Sequence, residues 1–440
     1  MKTRFGHTIA PAGRPGGRAD PITPDKPEGG QPVKLQVFNE YDPLEVVLVH
    51  RPGEEIDRLT HENMKAFLFE DIPYLARMQD EHDEFVDEMR DRGVRVLHLD
   101  KLLRDLLDGQ PETRRKLIDQ VCAAEQATGI AAELHDPQIC PNDVLVGILF
   151  KGLTHAEYAE LTRRPLSSGP VGKQFILRPI PNAYFSRDPA VVIGQSVISC
   201  KMHFVERIRE TVLARAVLEH HPEFKGHRIA YGGSDAPRDD RPFTVEGGDV
   251  IVLNAEAVLV GVSERTRLET IEILARRIFE SGRHSRLYGI PIPTERTFMH
   301  LDTVFTIVDR GMVVWYPGVM EQVKFIHRYD SDGAGNIHRA DESRGLTEIL
   351  SDEFGKEVTI IRTGGGDEHY ASREQRTDGT NILALAPRVA CTYERNARTI
   401  VAMEKAGVEV VKIVGSELVR GLGGPRCMTM PLRRSSQASG

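Results

Sequence analysis

Apolar residues along the chain fall into a pattern that repeats. Leu44 to Val49 is a β-branched run just after the Asp42-Pro43 turn signal and predicts a strand. Met78, Phe85, Val86 and Met89 then take helical spacing up to Gly93, and Arg95–Leu99 returns to a strand. Downstream, a fuller unit recurs: two short strands around a turn, a helix, then a strand. Its first copy turns at Gly194-Gln195, continues as a helix from Val205 to His220 and ends near His227–Tyr231. The next turns at Asn254-Ala255, with a helix from Glu264 to Glu280 and a strand at Arg286–Ile290. The third turns at Asp309–Gly311, with a helix from about Asp341 to Glu353 and a strand at Glu357–Arg362. The fourth turns near Pro387-Arg388, with a helix to Ala406 and a strand at Val408–Ile413. The opening module, Leu44 to Leu99, is a fifth copy short of one hairpin strand. Met428–Leu432 can supply that strand, and a ring would close.

The remaining segments set the boundaries. Residues 1–34 are rich in Pro and Gly without apolar periodicity and are expected to be a disordered tail. Order is expected to begin at Leu44. Residues 35–433 form one domain, and 434–440 a short C-terminal tail. From Asp100 to about Arg164 the chain fits no module: Leu102, Leu103, Leu106, Leu107, Leu117 and Val121 have helical spacing, and Thr154-His-Ala-Glu157 is a capping box. This region, 100–170, is expected to be a helical insertion into the first module. It either walls off a site or serves structure alone. The fold class is α/β, built of ββαβ-type modules.

Composition narrows the partners. The 440 residues carry 57 basic and 65 acidic side chains, a formal net charge of −8, which argues against a non-specific nucleic-acid binder. No apolar run reaches a membrane span, and the start has no signal-peptide core. The five cysteines are odd in number and scattered, which fits a reducing, cytoplasmic setting.

Candidate chemistry gathers at one recurring place, the entrance to each hairpin. Asn182 and Asp188 stand there in one module, Glu246 and Asp249 in the next, His300 and Asp302 in the third. The Gly-rich turn from Gly421 brings Cys427 to the closing strand. Equivalent ends of repeated units point at one axis, so a thiol, an imidazole and several carboxylates should converge. Singly, each has a plain reading. Cys427 could be inert core, His300 a satisfied core histidine, and Asp188-Pro189 or Gly247-Gly248 ordinary turn chemistry. His220-His221 reads as a solvated helix end and Asp235–Arg241 as a polar loop. Zinc is disfavoured because no second His or Cys sits at ligand spacing beside His300 and Asp302. Carboxylates around a thiol suit a planar cation rather than an oxyanion. They point to attack on a guanidino carbon.

Six motifs carry a resemblance: Arg51-Pro-Gly-Glu54, Phe69-Glu-Asp-Ile-Pro73, Phe185-Ser-Arg-Asp188-Pro189, Glu246-Gly-Gly-Asp249-Val250, Met299-His300-Leu-Asp302-Thr303 and Gly423-Gly-Pro-Arg-Cys427-Met428. With them the chain resembles the arginine deiminase family of the guanidino-modifying pentein superfamily, from about Val37 to Arg433. The resemblance implies a five-bladed α/β propeller with a helical insertion. It implies hydrolysis of L-arginine to L-citrulline and ammonia, without a cofactor or metal, through a covalent S-alkylthiouronium on Cys427. His300 is then the general acid/base, Asp188 and Asp302 the guanidinium clamps, and Glu246 the partner of His300 and substrate. Asp249 is a site carboxylate, and Gly421 and Asn182 help bind substrate. Arg265 and either Arg207 or Arg209 hold the substrate carboxylate. A homo-oligomer, dimer or tetramer, is expected. One position departs: Leu422 stands where some members have Arg, so no cation is expected beside the empty site's carboxylates. The rivals are an amidinotransferase, a deiminase for agmatine or methylated arginine, and a catalytically silent binding propeller.

Overall fold

The innermost strands of this protein are apolar along their whole length, because they are covered on both faces. In Ala257–Val262 every residue but Val262 is buried. The helices are two-faced. Between Leu268 and Phe279, Ile271, Leu274, Ala275 and Ile278 are buried while Glu269, Glu272, Arg276 and Arg277 are exposed. Such helices lie outside the sheets and turn their charged faces to water.

The computed structural model describes residues 32–164, 174–232 and 241–435. In the first module β1 (Leu44–Val49) leads through α1 (Leu75–Arg90) to β2 (Arg95–His98), parallel to β1. A helical segment follows: α2 (Leu99–Gly109), α3 (Pro111–Ala124), α4 (Ala131–His135), α5 (Asn142–Lys151) and α6 (His155–Thr162). The strands β3 (Leu153–Thr154) and β4 (Phe175–Leu177) pair around α6, whose N-terminus carries the expected capping box. The second module comprises β5 (Ala190–Ile193), β6 (Ser196–Ser199), α7 (Ile208–His220) and β7 (Arg228–Tyr231). The third comprises β8 (Val250–Val252), β9 (Ala257–Val262), α8 (Leu268–Phe279) and β10 (Arg286–Pro291). The fourth starts with β11 (Phe305–Asp309) and β12 (Met312–Trp315). After α9 (Pro317–Met320), β13 (Ile326–Ser331) and β14 (Ile337–Glu342) it resumes with α10 (Leu346–Phe354) and β15 (Thr359–Arg362). A further helix, α11 (Glu368–Gln375), precedes the fifth module: β16 (Leu383–Ala386), β17 (Val389–Tyr393), α12 (Ala397–Lys405) and β18 (Glu409–Ile413). Finally β19 (Met430–Arg434) pairs antiparallel with β1 and completes the first sheet.

Every module is thus an antiparallel hairpin whose second strand pairs in parallel, across a helix, with a third. The modules touch in cyclic order. Cys427 O accepts from Arg187 N–H (3.0 Å), Asp188 O from Gly247 N–H (3.0 Å), and Val308 O from Arg388 N–H (3.0 Å). Asp249 Oδ1 accepts from Leu301 N–H (2.8 Å), and Ala384 O from the Arg434 guanidinium (2.9 Å). The ring is closed: a five-bladed α/β propeller.

Four local expectations change. The helix expected from Asp341 begins at Leu346, because Ile337–Glu342 is an exposed edge strand. Its hairpin with β13 extends the third module's sheet. The helix expected from Glu264 begins at Leu268, because Ser263–Thr266 is a turn tied to Asp249. The helical segment follows β2 rather than interrupting the first module, and it packs on α7. Packing starts before Leu44, with Val33, Leu35 and Val37 buried in the largest apolar cluster. Of the expected tails, 1–34 and 434–440, Val33 and Arg434 are buried, while 1–31, 436–440 and most of the polar loop lie outside the described residues. No helix among the described residues is long and apolar enough to cross a membrane.

Candidate active site

The first strand of each hairpin is preceded by a polar residue aimed at the ring's centre: Asp188 before β5, Glu246 and Asp249 before β8, His300 and Asp302 before β11. The same position holds Asn381 before β16 and Cys427 before β19. These residues are all buried, within a few per cent of fully. Backbone must come close for them to meet. A Cβ on Gly248 would lie 2.5 Å from His300 Nδ1 and 3.0 Å from Asp188 Oδ1, so only glycine leaves this approach open.

Cys427 sits in a well-defined cradle. Its N–H donates to Asn381 Oδ1 (2.8 Å), which also accepts from Gly424 N–H (3.1 Å). Asn381 Nδ2 is 3.0 Å from the sulfur, and Asp302 Oδ2 is 3.6 Å from it. Asp302 Oδ2 also accepts from Arg426 (2.8 Å) and leaves Oδ1 without a partner. Asp188 repeats the arrangement, with Oδ2 on Arg207 (2.9 Å) and Oδ1 unpartnered, 3.7 Å from His300 Nδ1. Each clamp therefore has one oxygen neutralised from within and one kept open.

Glu246 orients the imidazole. Its Oε2 lies 2.8 Å from His300 Nε2 and 3.2 Å from Arg265 NH1, while Oε1 accepts from His203 N–H (2.8 Å). The pocket is lined by Asn182, Asp188, Arg207, Arg265, His300, Gly421 and Cys427, with Leu68, Phe185, Arg296, Met299 and Leu422 around them. Glu246 and Asp302 adjoin it through His300 and Cys427.

Charge is distributed unevenly over these groups. Burial works against an imidazolium at His300, yet Asp188, the Glu246 hydrogen bond and Asp249 outweigh it and raise its pKa to about 9. Burial also works against ionised Glu246, but Arg265, His300 and Arg207 hold it well below the usual carboxylate range. At Cys427 burial leads, and Asp302, Asp188 and Asp378 add to it. The thiol is pushed well above its ordinary value against the pull of Arg426. These shifts favour a protonated imidazole and a neutral thiol in the same pocket near neutral pH.

A search of known proteins gives this geometry a family. The model of the arginine deiminase family matches residues 65–434. An arginine deiminase of Mycoplasma capricolum subsp. capricolum is 40% identical over 403 residues, covering 91% of this chain and 97% of that one. Another, of Listeria innocua serovar 6a, is 37% identical over 407 residues, with 91% and 98% covered. This chain belongs to the arginine deiminase family. Among solved structures, an amidinotransferase of the saxitoxin pathway of Microseira wollei is 15% identical with a TM-score of 0.55, over 93% of this chain and 99% of that one. The N-terminal domain of a cyanobacterial arginine dihydrolase is 12% identical with a TM-score of 0.51, over 89% and 98%. At such identity these two carry the fold alone.

Against the arginine deiminase expectations, most predicted residues meet and some do not. Arg207 lines the pocket, whereas Arg209 turns away to Glu125 (3.6 Å) and Arg178 O. Asp249 is not a pocket carboxylate. Its oxygens accept from Leu301 N–H (2.8 Å) and Ser263 Oγ–H (2.6 Å), so it braces the His300 turn, and burial pushes its pKa up to about 6. Leu422 does not leave the carboxylates without cations, because Arg207, Arg265 and Arg426 pair with them. Among the described residues, the helical segment contributes nothing to the pocket lining. Asp188, Glu246 and His300 bring ligand atoms within 4.8 Å of one another. Arg207 and Arg265 already bond to Asp188 Oδ2 and Glu246 Oε2.

Two contributors were missed in the sequence. Asn381 was findable, since it holds in the fifth module the hairpin-entrance position that identified the others. Arg426 lay within a quoted motif, but nothing in its spacing shows that it reaches Asp302 and, at 3.1 Å, Glu40.

Proposed function

We propose that this protein hydrolyses L-arginine to L-citrulline and ammonia, with Cys427 as nucleophile. One observation carries the reading: two carboxylates by the thiol, Asp188 and Asp302, each have one oxygen tied to an internal arginine and one without a hydrogen-bond partner among the described residues. A substrate guanidinium fits two such oxygens, since its N–H donors match carboxylate geometry. Bound there, it brings positive charge to a thiol held neutral by its surroundings, and the thiol gives its proton to solvent to become the thiolate.

The thiolate then attacks the guanidino carbon. His300, protonated in the empty site, gives its proton to the departing nitrogen, and ammonia leaves an S-alkylthiouronium on Cys427. The neutral imidazole takes a proton from water, the resulting hydroxide adds to the same carbon, and the thiolate departs with citrulline formed. Glu246 holds His300 throughout. Arg207, Arg265 and Asn182 line the pocket where a substrate carboxylate would lie, which favours arginine over agmatine. Cysteines that are all unpaired and buried support a reducing, cytoplasmic location. The test is a product assay with and without EDTA. Equimolar citrulline and ammonia, indifferent to the chelator, are expected; ornithine with urea, ornithine with ammonia, or loss of activity on chelation would overturn the reading.

A further inference from the structure

Arg207 stands between carboxylates with different surroundings. Its NH1 donates to Asp188 Oδ2, on the pocket wall, at 2.9 Å and is 3.8 Å from Glu246 Oε2. Its opposite edge forks onto Glu210, with Nε 3.1 Å from Oε1 and NH2 2.8 Å from Oε2. Glu210 does not line the site pocket. It is 2% exposed, and among the described residues it accepts hydrogen bonds from Arg207 alone. Its other side borders a separate apolar cavity with Leu48, Leu99, Phe150 and Leu213.

A carboxylate buried against an apolar cavity is unfavourable unless it is paired, and here a single guanidinium does all the pairing. Burial pushes Glu210 up to about 7 in spite of Arg207, so the pair is held together against a real desolvation cost. Without Glu210, no carboxylate would grip the Nε–NH2 edge of Arg207 from behind, and the guanidinium would lose the fork that fixes its angle to the pocket.

We propose that Glu210 is a positioning residue for recognition of the substrate carboxylate: it grips the Nε–NH2 edge of Arg207 from behind and leaves the NH1 end facing the pocket. The proposal rests on the arginine reading above. Glu210 touches neither substrate nor thiol. It acts through Arg207, and it makes selection between an amino acid and its decarboxylated amine depend on a residue outside the pocket.

The experiment compares wild type, Glu210→Gln and Glu210→Asp on L-arginine and agmatine, with kcat and KM resolved. For Glu210→Gln the KM for arginine should rise at least about tenfold with kcat little changed, and the arginine-to-agmatine ratio of kcat/KM should fall by about the same factor. Glu210→Asp should recover part of the ratio. Equal losses on both substrates, or an unchanged ratio, would overturn the proposal and leave Glu210 a structural residue. Calorimetric binding of both amidines to Cys427→Ser protein, with and without Glu210→Gln or Glu210→Asp, repeats the test without turnover. Failure of the arginine reading would show as wild type that makes no citrulline. Failure of this proposal would show as unchanged discrimination between the two amidines.

Discussion

Asn381 holds both the backbone and the sulfur of Cys427, and its counterpart positions in the other modules hold Asp188, Glu246, Asp249, His300 and Asp302. Residue chemistry was legible in the sequence wherever a polar residue stood at a hairpin entrance. It was not legible where a residue acts from another place, as Arg426 and Glu210 do, because ion pairing across the fold leaves no local spacing signal. The electrostatic setting of Cys427 makes a direct prediction. With the thiol raised by burial and by Asp302 and Asp188, little thiolate exists near neutral pH until a cation enters. Normalised to a free thiol, chloroacetamidine should therefore alkylate Cys427 far faster than iodoacetate across pH 5–9. Equal normalised rates would remove the carboxylate-dominated picture. A second prediction concerns Asp378, which is buried, has a left-handed φ of 60°, and leaves Oδ2 unpartnered. Burial and then Asp302 push its pKa up to about 8. A carboxyl whose folded value lies above its unfolded one binds more protons when folded, so its contribution to stability falls as pH rises toward and through 8. Asp378→Asn, a residue that tolerates left-handed φ, should therefore gain roughly 1–3 kcal/mol over wild type at pH 9 relative to the difference at pH 6. Denaturant melts at the two pH values measure it, and a pH-independent difference would contradict the assignment.

Elements were legible in proportion to their burial. Hairpin turns at Gly194-Gln195 and Asn254-Ala255 lie where apolar runs break, and the strands flanking them match. The hairpin β13–β14 escaped because β14 is an exposed edge strand: His338, Arg339, Ala340 and Asp341 face water and show no period of two. The start of α8 was misplaced because Ser263–Thr266 is shaped by Asp249, a tertiary contact. One element contact supports the nucleophile directly. Glu81 on α1 is fully buried and accepts from Glu417 N–H (2.9 Å), Leu418 N–H (3.1 Å), Ser416 N–H (3.2 Å) and the Ser416 hydroxyl. It thereby caps the single turn Leu418–Gly421 that leads to Cys427. Glu81→Ala would orphan several buried donors at once, and urea unfolding should show a loss of about 3 kcal/mol together with a lower kcat. A loss below about 1 kcal/mol would mean that the turn is held by other contacts.

At the scale of the whole molecule, the missing strand of the first module was the most informative feature of the sequence. A module short of one strand at one end, and a lone strand at the other, predicts closure, and β19 on β1 provides it. Closure brings Cys427, from just before β19, to Asp188, His300 and Asp302 from two earlier hairpin entrances. The helical segment was legible as helices but not in its placement, since nothing in its own sequence says that it packs on α7 away from the pocket. The central claim is that this convergence makes Cys427 a nucleophile toward a guanidino carbon. It is tested most directly by acid-quenching turnover of L-arginine isotopically labelled at that carbon and mapping the label by peptide mass. The label should appear, during turnover only, on the peptide that holds Cys427, and be absent from Cys427→Ser protein. Citrulline formed with no covalent label at any quench time, or label on a different residue, would contradict the account.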